Sequence, residues 1–524
     1  MENCGGISCS NPPNKLVLLT IPMKTKTITS YLTTIILLSL GLNLSAEVKL
    51  PNVIGNDMVL QRDLPVPIWG WADNGEEVTV SFAGQSKTAK PGKNGKWMVK
   101  LSALKANSKP AILTIKGCNE IKLDNILVGE VWICSGQSNM EWRLNGAMNG
   151  KEEVAVADHP LIRLFDVPGH KVSPQPKERL AIPSSWKVCN PQTSGGFSAV
   201  GYFFGRRLQK ELNVPIGLIG SNWGGTRIEP WTTLAGFESV PELSKEANQV
   251  KGYKADTKVG GGSPSAIYNQ MVHPLAPFAM RGGIWYQGES NGGEHISYYH
   301  KKHALVNGWR KVFQNKDLAF YWVQLANFRK PNVRVVNDPK KEFSNAAGGD
   351  GWAKIREAQT KALDIPHTGM AVAIDLADAH NPNDIHPRNK QDVGGRLAQW
   401  ALHQTYGKKN LVPTGPLYKS HKIKGSKVHL SFDHVGKGLM IGKKTKLEPT
   451  AEVKSGKLEH FSIAGEDKKW VWADAAIDGD TVVVSSKEVK KPVAVRYGFT
   501  MNPANANLYN KDGIPALPFR TDDW

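Results

Sequence analysis

The sequence predicts an α/β protein, a parallel sheet flanked by helices, with a β-sandwich-like domain before it and another after it. Three observations lead there. From Ile126 to about Tyr406, short apolar runs alternate with amphipathic helical stripes, the pattern of a parallel sheet covered on both faces. Before and after this stretch, apolar residues recur with period two between Gly-, Asn- and Pro-containing turns, as in antiparallel sheets. At 524 residues the chain exceeds what one core can hold, so roughly two to four domains are expected.

Residues 1–46 read as a leader. Met23 is the better start, Lys24 and Lys26 give a positive region, and Ile35 to Leu40 form an apolar core. Leu44-Ser45-Ala46 then supplies small residues for cleavage. This is a secretory signal, too short for a lasting membrane span. A periplasmic or secreted protein, cut near Ala46 and with no membrane span in its mature form, is expected. Residues 1–22 read as an upstream extension. No cysteine follows the apolar core, which argues against a lipoprotein anchor.

Residues 47–125 are predicted to form the N-terminal β-domain. Val78, Val80 and Phe82 alternate with polar residues, as do Trp97, Val99 and Leu101. Residues 126–410 are predicted to form the α/β domain. Its strand candidates are Ile126 to Cys134, Ile216 to Ile219, Gly282 to Tyr286, Ala319 to Leu325 and Met370 to Ile374. Its helical stripes are Val200-Phe203-Phe204-Leu208-Leu212, with Ser198 as N-cap, then Leu305-Val306-Trp309-Phe313 and Val393-Leu397-Trp400. Residues 232–262, polar and lysine-rich, break the alternation and read as an insertion, either a lid over the site or a solvated loop. Residues 411–524 return to period two at Val428, Leu430 and Phe432 and at Val493, Val495 and Tyr497. The tail from Asn507 to Phe519 is expected to dock on another domain.

Composition excludes several classes. The formal charge is +19, but the lysines are scattered, with no arginine-rich arm, so nucleic acid is not the expected partner. Cys118, Cys134 and Cys189 remain after the leader. That odd number is not a disulfide framework, though one pair could form. His300-Lys-Lys-His303 lacks the spacing of a metal motif, and no dinucleotide or phosphate loop follows a strand. No metal and no cofactor is expected.

In open parallel sheets the site lies beyond the carboxyl ends of the strands. Three polar turns stand at three such ends: Ser135-Gly-Gln-Ser-Asn139, Ser221-Asn-Trp-Gly-Gly-Thr226 and Gln287-Gly-Glu-Ser-Asn291. A serine at a strand-end turn suits a nucleophile, which selects Ser138. Asn383-Asp-Ile-His-Pro387 supplies His386 as base and Asp384 as its orienting acid, with His380, Asp375 and Asp378 as local rivals. Oxyanion donors are expected from the Ser138 backbone N–H, a backbone N–H of Gly224 or Gly225, and the Gln287 amide.

These stretches resemble the sialate O-acetylesterase family of the SGNH-hydrolase superfamily, in its bacterial secreted branch. The resemblance runs through Gly129 to Met140, Gly217 to Thr226, Arg281 to Asn291, Asp384 to Gln391 and Asn507 to Asn510. It implies a cofactor-free Ser-His-Asp esterase acting on O-acetylated sugars. It carries the nucleophile onto Ser138, the base onto His386 and the oxyanion donors onto the Gly224-Gly225 turn and Gln287. Two departures stand out. Asn383 occupies the place of the superfamily's usual acid, and Gln270 follows Tyr268-Asn269 where the family usually has glycine. An esterase for acetylated xylan or another plant polysaccharide is the alternative within the class. A catalytically inactive glycan-binding module is the alternative outside it.

Overall fold

The computed structural model describes residues 47–334 and 344–524. The chain divides into two units, residues 1–45 and Ala46–Trp524, and the described residues all lie in the second. The leader expected over 1–46 lies outside the described residues. No helix among those described is long and apolar enough to cross a membrane.

The organising element is β1, Glu120–Gly136, a 17-residue strand. Its first half pairs antiparallel with Asn107–Lys116, in the N-terminal β-region. Its second half is the middle strand of a parallel sheet. The expected boundary at 125/126 therefore falls inside a continuous strand. Residues of both regions also share one hydrophobic core, from Val78 and Trp97 through Trp132 to Trp285 and Trp322. The fully buried Glu130 pins the base of this strand. It accepts from Arg62, from Arg281 Nε at 2.9 Å and from Gln61 Nε2 at 2.9 Å, so each buried charge is compensated.

The remaining sheet strands are β2 (His159–Asp166), β3 (Lys187–Cys189), β4 (Ile216–Asn222), β5 (Gly282–Tyr286), β6 (Ala319–Val323) and β7 (Thr368–Ala371). Their order is β7-β6-β5-β1-β4-β2-β3. All neighbours are parallel except β2 and β3. Strands β5, β6 and β7 are buried along their whole length, as expected of parallel strands covered on both faces. Among the helices are α1 (Ser138–Glu141), α2 (Ala199–Leu212), α3 (Ile296–Val312), α4 (Gly351–Lys361) and α5 (Lys390–Trp400). Ser198 caps α2 as expected, its Oγ accepting from the Gly201 N–H at 3.1 Å. Patterning does not predict α4, because its buried face includes Arg356 and Gln359 among apolar residues.

The insertion over 232–262 is more ordered than its composition suggests. Leu234–Glu238 and Ser244–Lys251 are helical. Phe237, Val240, Leu243, Ala247 and Val250 form a small core with Ala304 of α3. Those spacings are helical, but Pro241 divides them between two short helices. Residues 411–524 form antiparallel sheets around a separate core that includes Val428, Leu430, Ile463, Val482 and Val495. The tail docks as expected: Tyr509 Oη donates to Asp375 Oδ2 at 3.3 Å, just beyond β7.

Two substitutions test this framework. Arg356, fully buried, donates to the carbonyls of Leu325, Ala326, Thr500 and Met501. Arg356→Met strands those carbonyls and should lower the unfolding free energy by about 3 kcal/mol or more. A urea titration reads this directly. At Gly136 (φ +135°), an added Cβ would lie 2.2 Å from the Tyr286 carbonyl oxygen. Gly136→Ala should therefore force β1 and β5 apart, with a lowered melting temperature by calorimetry.

Candidate active site

The three central strands end level. Gly136 of β1 lies opposite Asn222 of β4 on one side and Tyr286 of β5 on the other. The three turns predicted to carry chemistry therefore emerge side by side. The serine turn is braced against the third one. Gln137 N–H donates to the Tyr286 carbonyl at 2.9 Å, and Gln137 Oε1 accepts from the Gly288 and Ser290 N–H groups at 3.4 and 3.3 Å. Ser138 then opens α1. Its N–H stands at a helix start, where no intrahelical acceptor exists. Ser135 is different: it is fully buried within β1.

His386 reaches the serine from the loop between β7 and α5. Its Nε2 lies 2.9 Å from Ser138 Oγ. The imidazole stacks on Trp142, with ring centroids 5.1 Å apart and planes at 26°. Asp384 accepts the His386 backbone N–H at 2.9 Å, and the same oxygen lies 3.6 Å from Nδ1. That separation gives charge contact but exceeds a good hydrogen bond. The rivals are engaged elsewhere. Asp375 forms a paired contact with Arg396 at 2.6 and 2.7 Å, and Asp378 accepts the His380 N–H at 2.9 Å. Asn383, at the position of the usual acid, is exposed. Burial, followed by the nearby Lys390 cation, pushes His386 below its ordinary value, while Asp384 opposes the shift. Its ring is therefore neutral at pH 7.

Two expected oxyanion donors are corrected. The Gly224 N–H is held by Glu141 Oε2 at 2.6 Å. Gln287, fully buried, donates Nε2 to Asn291 Oδ1 at 2.7 Å and to the Thr226 carbonyl at 3.2 Å, and its Oε1 accepts from Tyr298 Oη at 2.9 Å. Its amide joins the second and third turns rather than facing a substrate. Gly225 remains, at φ +73° with open space where a Cβ would stand. A glycine there adopts the left-handed turn without strain.

Several neighbours of the pair carry no role in the sequence reading. Glu141 also binds His170 Nε2 at 2.7 Å, and His170 lies flat on Trp223 at 4.8 Å. Gly261, at the end of the insertion, packs on Trp223: a Cβ there would sit 3.1 Å from its ring. Asn139, Glu289 and Lys390 form a connected cluster beside the histidine loop. All three sit in the stretches that carry the resemblance, but residue type alone did not separate them from turn and helix-start residues. Gln270 donates to the Arg179 carbonyl at 3.1 Å, so it fastens a loop where a glycine could not. Cys134 and Cys189 are buried thiols. Among the described residues, no three His, Cys, Asp or Glu side chains are grouped to hold a metal.

The family model for carbohydrate esterase, sialic acid-specific acetylesterase matches residues 128–403. The chain is 30% identical to human sialate O-acetylesterase over 510 residues, covering 90% of this chain and 92% of that one. It is 28% identical to the rat sialate O-acetylesterase over 528 residues, covering 90% and 94%. Its fold superimposes on the crystal structure of a carbohydrate acetylesterase from Xanthomonas citri with a TM-score of 0.78, at 40% identity, covering 91% of this chain and 100% of that one. With matching residues spanning the Ser138 turn, both flanking turns and the His386 loop, the chain belongs to the sialic acid-specific acetylesterase family of carbohydrate esterases.

Proposed function

We propose that the protein is a serine esterase that removes O-acetyl groups from sugars, with sialate esters as the first substrate class. The observation that carries this reading is the 2.9 Å contact between Ser138 Oγ and His386 Nε2 at the carboxyl edge of the sheet. Ser138 Oγ attacks the acetyl carbonyl as His386 Nε2 accepts its proton. The oxyanion receives the Ser138 N–H and, from the neighbouring turn, the Gly225 N–H. His386 returns the proton to the departing sugar hydroxyl, and water then releases acetate from the acyl-enzyme by the reverse proton path. Asp384 stabilises the imidazolium formed in each half-reaction. The intact nucleophile–base contact disfavours an inactive glycan-binding module. The 40% identity to a protein described simply as a carbohydrate acetylesterase leaves acetylated plant polysaccharide as the second substrate reading. Acetate release from O-acetylated sialic acids and from acetylated xylan, measured side by side, separates the two.

The secretory pattern of residues 23–46 supports export to the periplasm or medium. N-terminal sequencing of the exported protein should begin near Glu47, and a retained leader would refute this.

Ser138→Ala should lower acetate release about 10³-fold or more while leaving the melting temperature unchanged. Turnover near wild type would remove Ser138 from the mechanism. With His386 held below its ordinary 6.5, kcat/KM should be on its plateau at pH 7 and fall on acidification with a midpoint below 6.5. A midpoint well above pH 7 would contradict the assignment of the base. Asp384→Asn keeps an oxygen for the His386 N–H but removes the charge. It should lower kcat roughly 10- to 100-fold with KM nearly unchanged, as initial rates will read.

A further inference from the structure

Three side chains from separate parts of the chain meet behind the Ser138–His386 pair. Asn139, next to the nucleophile, donates Nδ2 to Glu289 Oε1 at 2.6 Å and to the Ile385 carbonyl at 3.1 Å. Ile385 immediately precedes His386. The Asn139 Oδ1 accepts from Lys390 Nζ, at the first turn of α5. Lys390 is fully buried. Its ammonium lies 5.7 Å from the Trp142 ring and 5.4 Å from the Tyr286 ring, and Trp142 is the surface on which His386 stacks. The other Glu289 oxygen, Oε2, is buried with no hydrogen-bond partner among the described residues. Burying two ionisable groups so close to the reacting pair is costly, and a well-packed apolar substitute would be cheaper for stability alone.

We propose that Lys390 is a positioning residue for the reaction: through Asn139 it locks the serine-bearing helix to the histidine-bearing loop, and it fixes a positive charge behind His386. The inference rests on the Ser138–His386 reading above. Asn139 makes one bond to each of the three elements involved: the turn after β5, the histidine loop and α5. Without the lysine, its carboxamide loses the bond that fixes its orientation. The charge acts separately. The charged groups facing His386 are Lys390 and Asp384, and those facing Lys390 are Glu289 and Asp384. Burial pushes Lys390 down to about 7, so it is charged over the range in which His386 titrates. A neighbouring cation disfavours the imidazolium and so leaves the histidine free to accept a proton at lower pH.

The two effects are separable. Lys390→Gln keeps a donor for Asn139 and removes the charge. Lys390→Met removes both. Both variants should move the acid midpoint of kcat/KM upward by roughly half a unit or more. Lys390→Met should in addition lower kcat about tenfold with KM within about twofold, while Lys390→Gln should stay within a few-fold of wild-type kcat. A merely structural lysine would lower the melting temperature without moving the midpoint. If neither variant folds, Asn139→Ser tests the same link from the serine side, and the expected result is a reduced kcat with KM retained. Folded Lys390 variants with the wild-type midpoint, or an Asn139→Ser enzyme with wild-type kcat, would overturn the inference alone, provided Ser138→Ala is inactive. Wild-type turnover in Ser138→Ala would overturn the underlying reading and this inference with it.

Discussion

The close approach of β1 to β5 at Gly136 is the constraint on which the site depends. No side chain fits between the Gly136 backbone and the Tyr286 carbonyl. That proximity lets the Gln137 N–H pair with Tyr286 and brings the turn after β5 level with the turn after β1. From the other side, β4 ends in register with the same residue. The Ser138 turn and its flanking turns are thus positioned by backbone geometry rather than by loop sequence, and rigid elements hold a site more precisely than loops do.

Electrostatics around the histidine follow from burial. A half-buried imidazole close to Lys390 is pushed toward its neutral form, and the Asp384 carboxylate beside it opposes that shift. The ring itself is held from its face by Trp142 and through its backbone by Asp384. The histidine loop therefore has three anchors: Asp384 within it, Asn139 from the serine turn, and Asn389, whose Nδ2 donates to the Lys446 carbonyl of the C-terminal β-region at 3.0 Å. This last bond gives the C-terminal region a part in supporting the loop.

Much of this was legible in the sequence, for physical reasons. Parallel strands buried on both faces leave apolar runs, and the turns at their ends stand out as polar, glycine-bearing breaks, so Ser138, Gly225 and the histidine loop could be placed without coordinates. Periodicity could not show α4, whose buried face includes Arg356, because a buried charge breaks the apolar stripe that marks a helix. The apolar spacing from Phe237 to Val250 was hidden because Pro241 splits it between two helices too short to show a stripe. The roles of Gly224 and Gln287 were misread because a residue type shows donor capacity and not its partner. Only the fold reveals that Glu141 and Asn291 already take those donors. The cluster of Asn139, Glu289 and Lys390 joins residues far apart in sequence, and no local pattern connects them.

The central claim is that Ser138 carries the acetyl group between the two half-reactions. Rapid acid quench of the enzyme during turnover of p-nitrophenyl acetate, followed by peptide mass analysis, tests it most directly. The account predicts a mass increase of about 42 Da, one acetyl group, confined to Ser138. An acetyl group found on Ser135 or on a residue outside this turn, with Ser138 unmodified during active turnover, would contradict it.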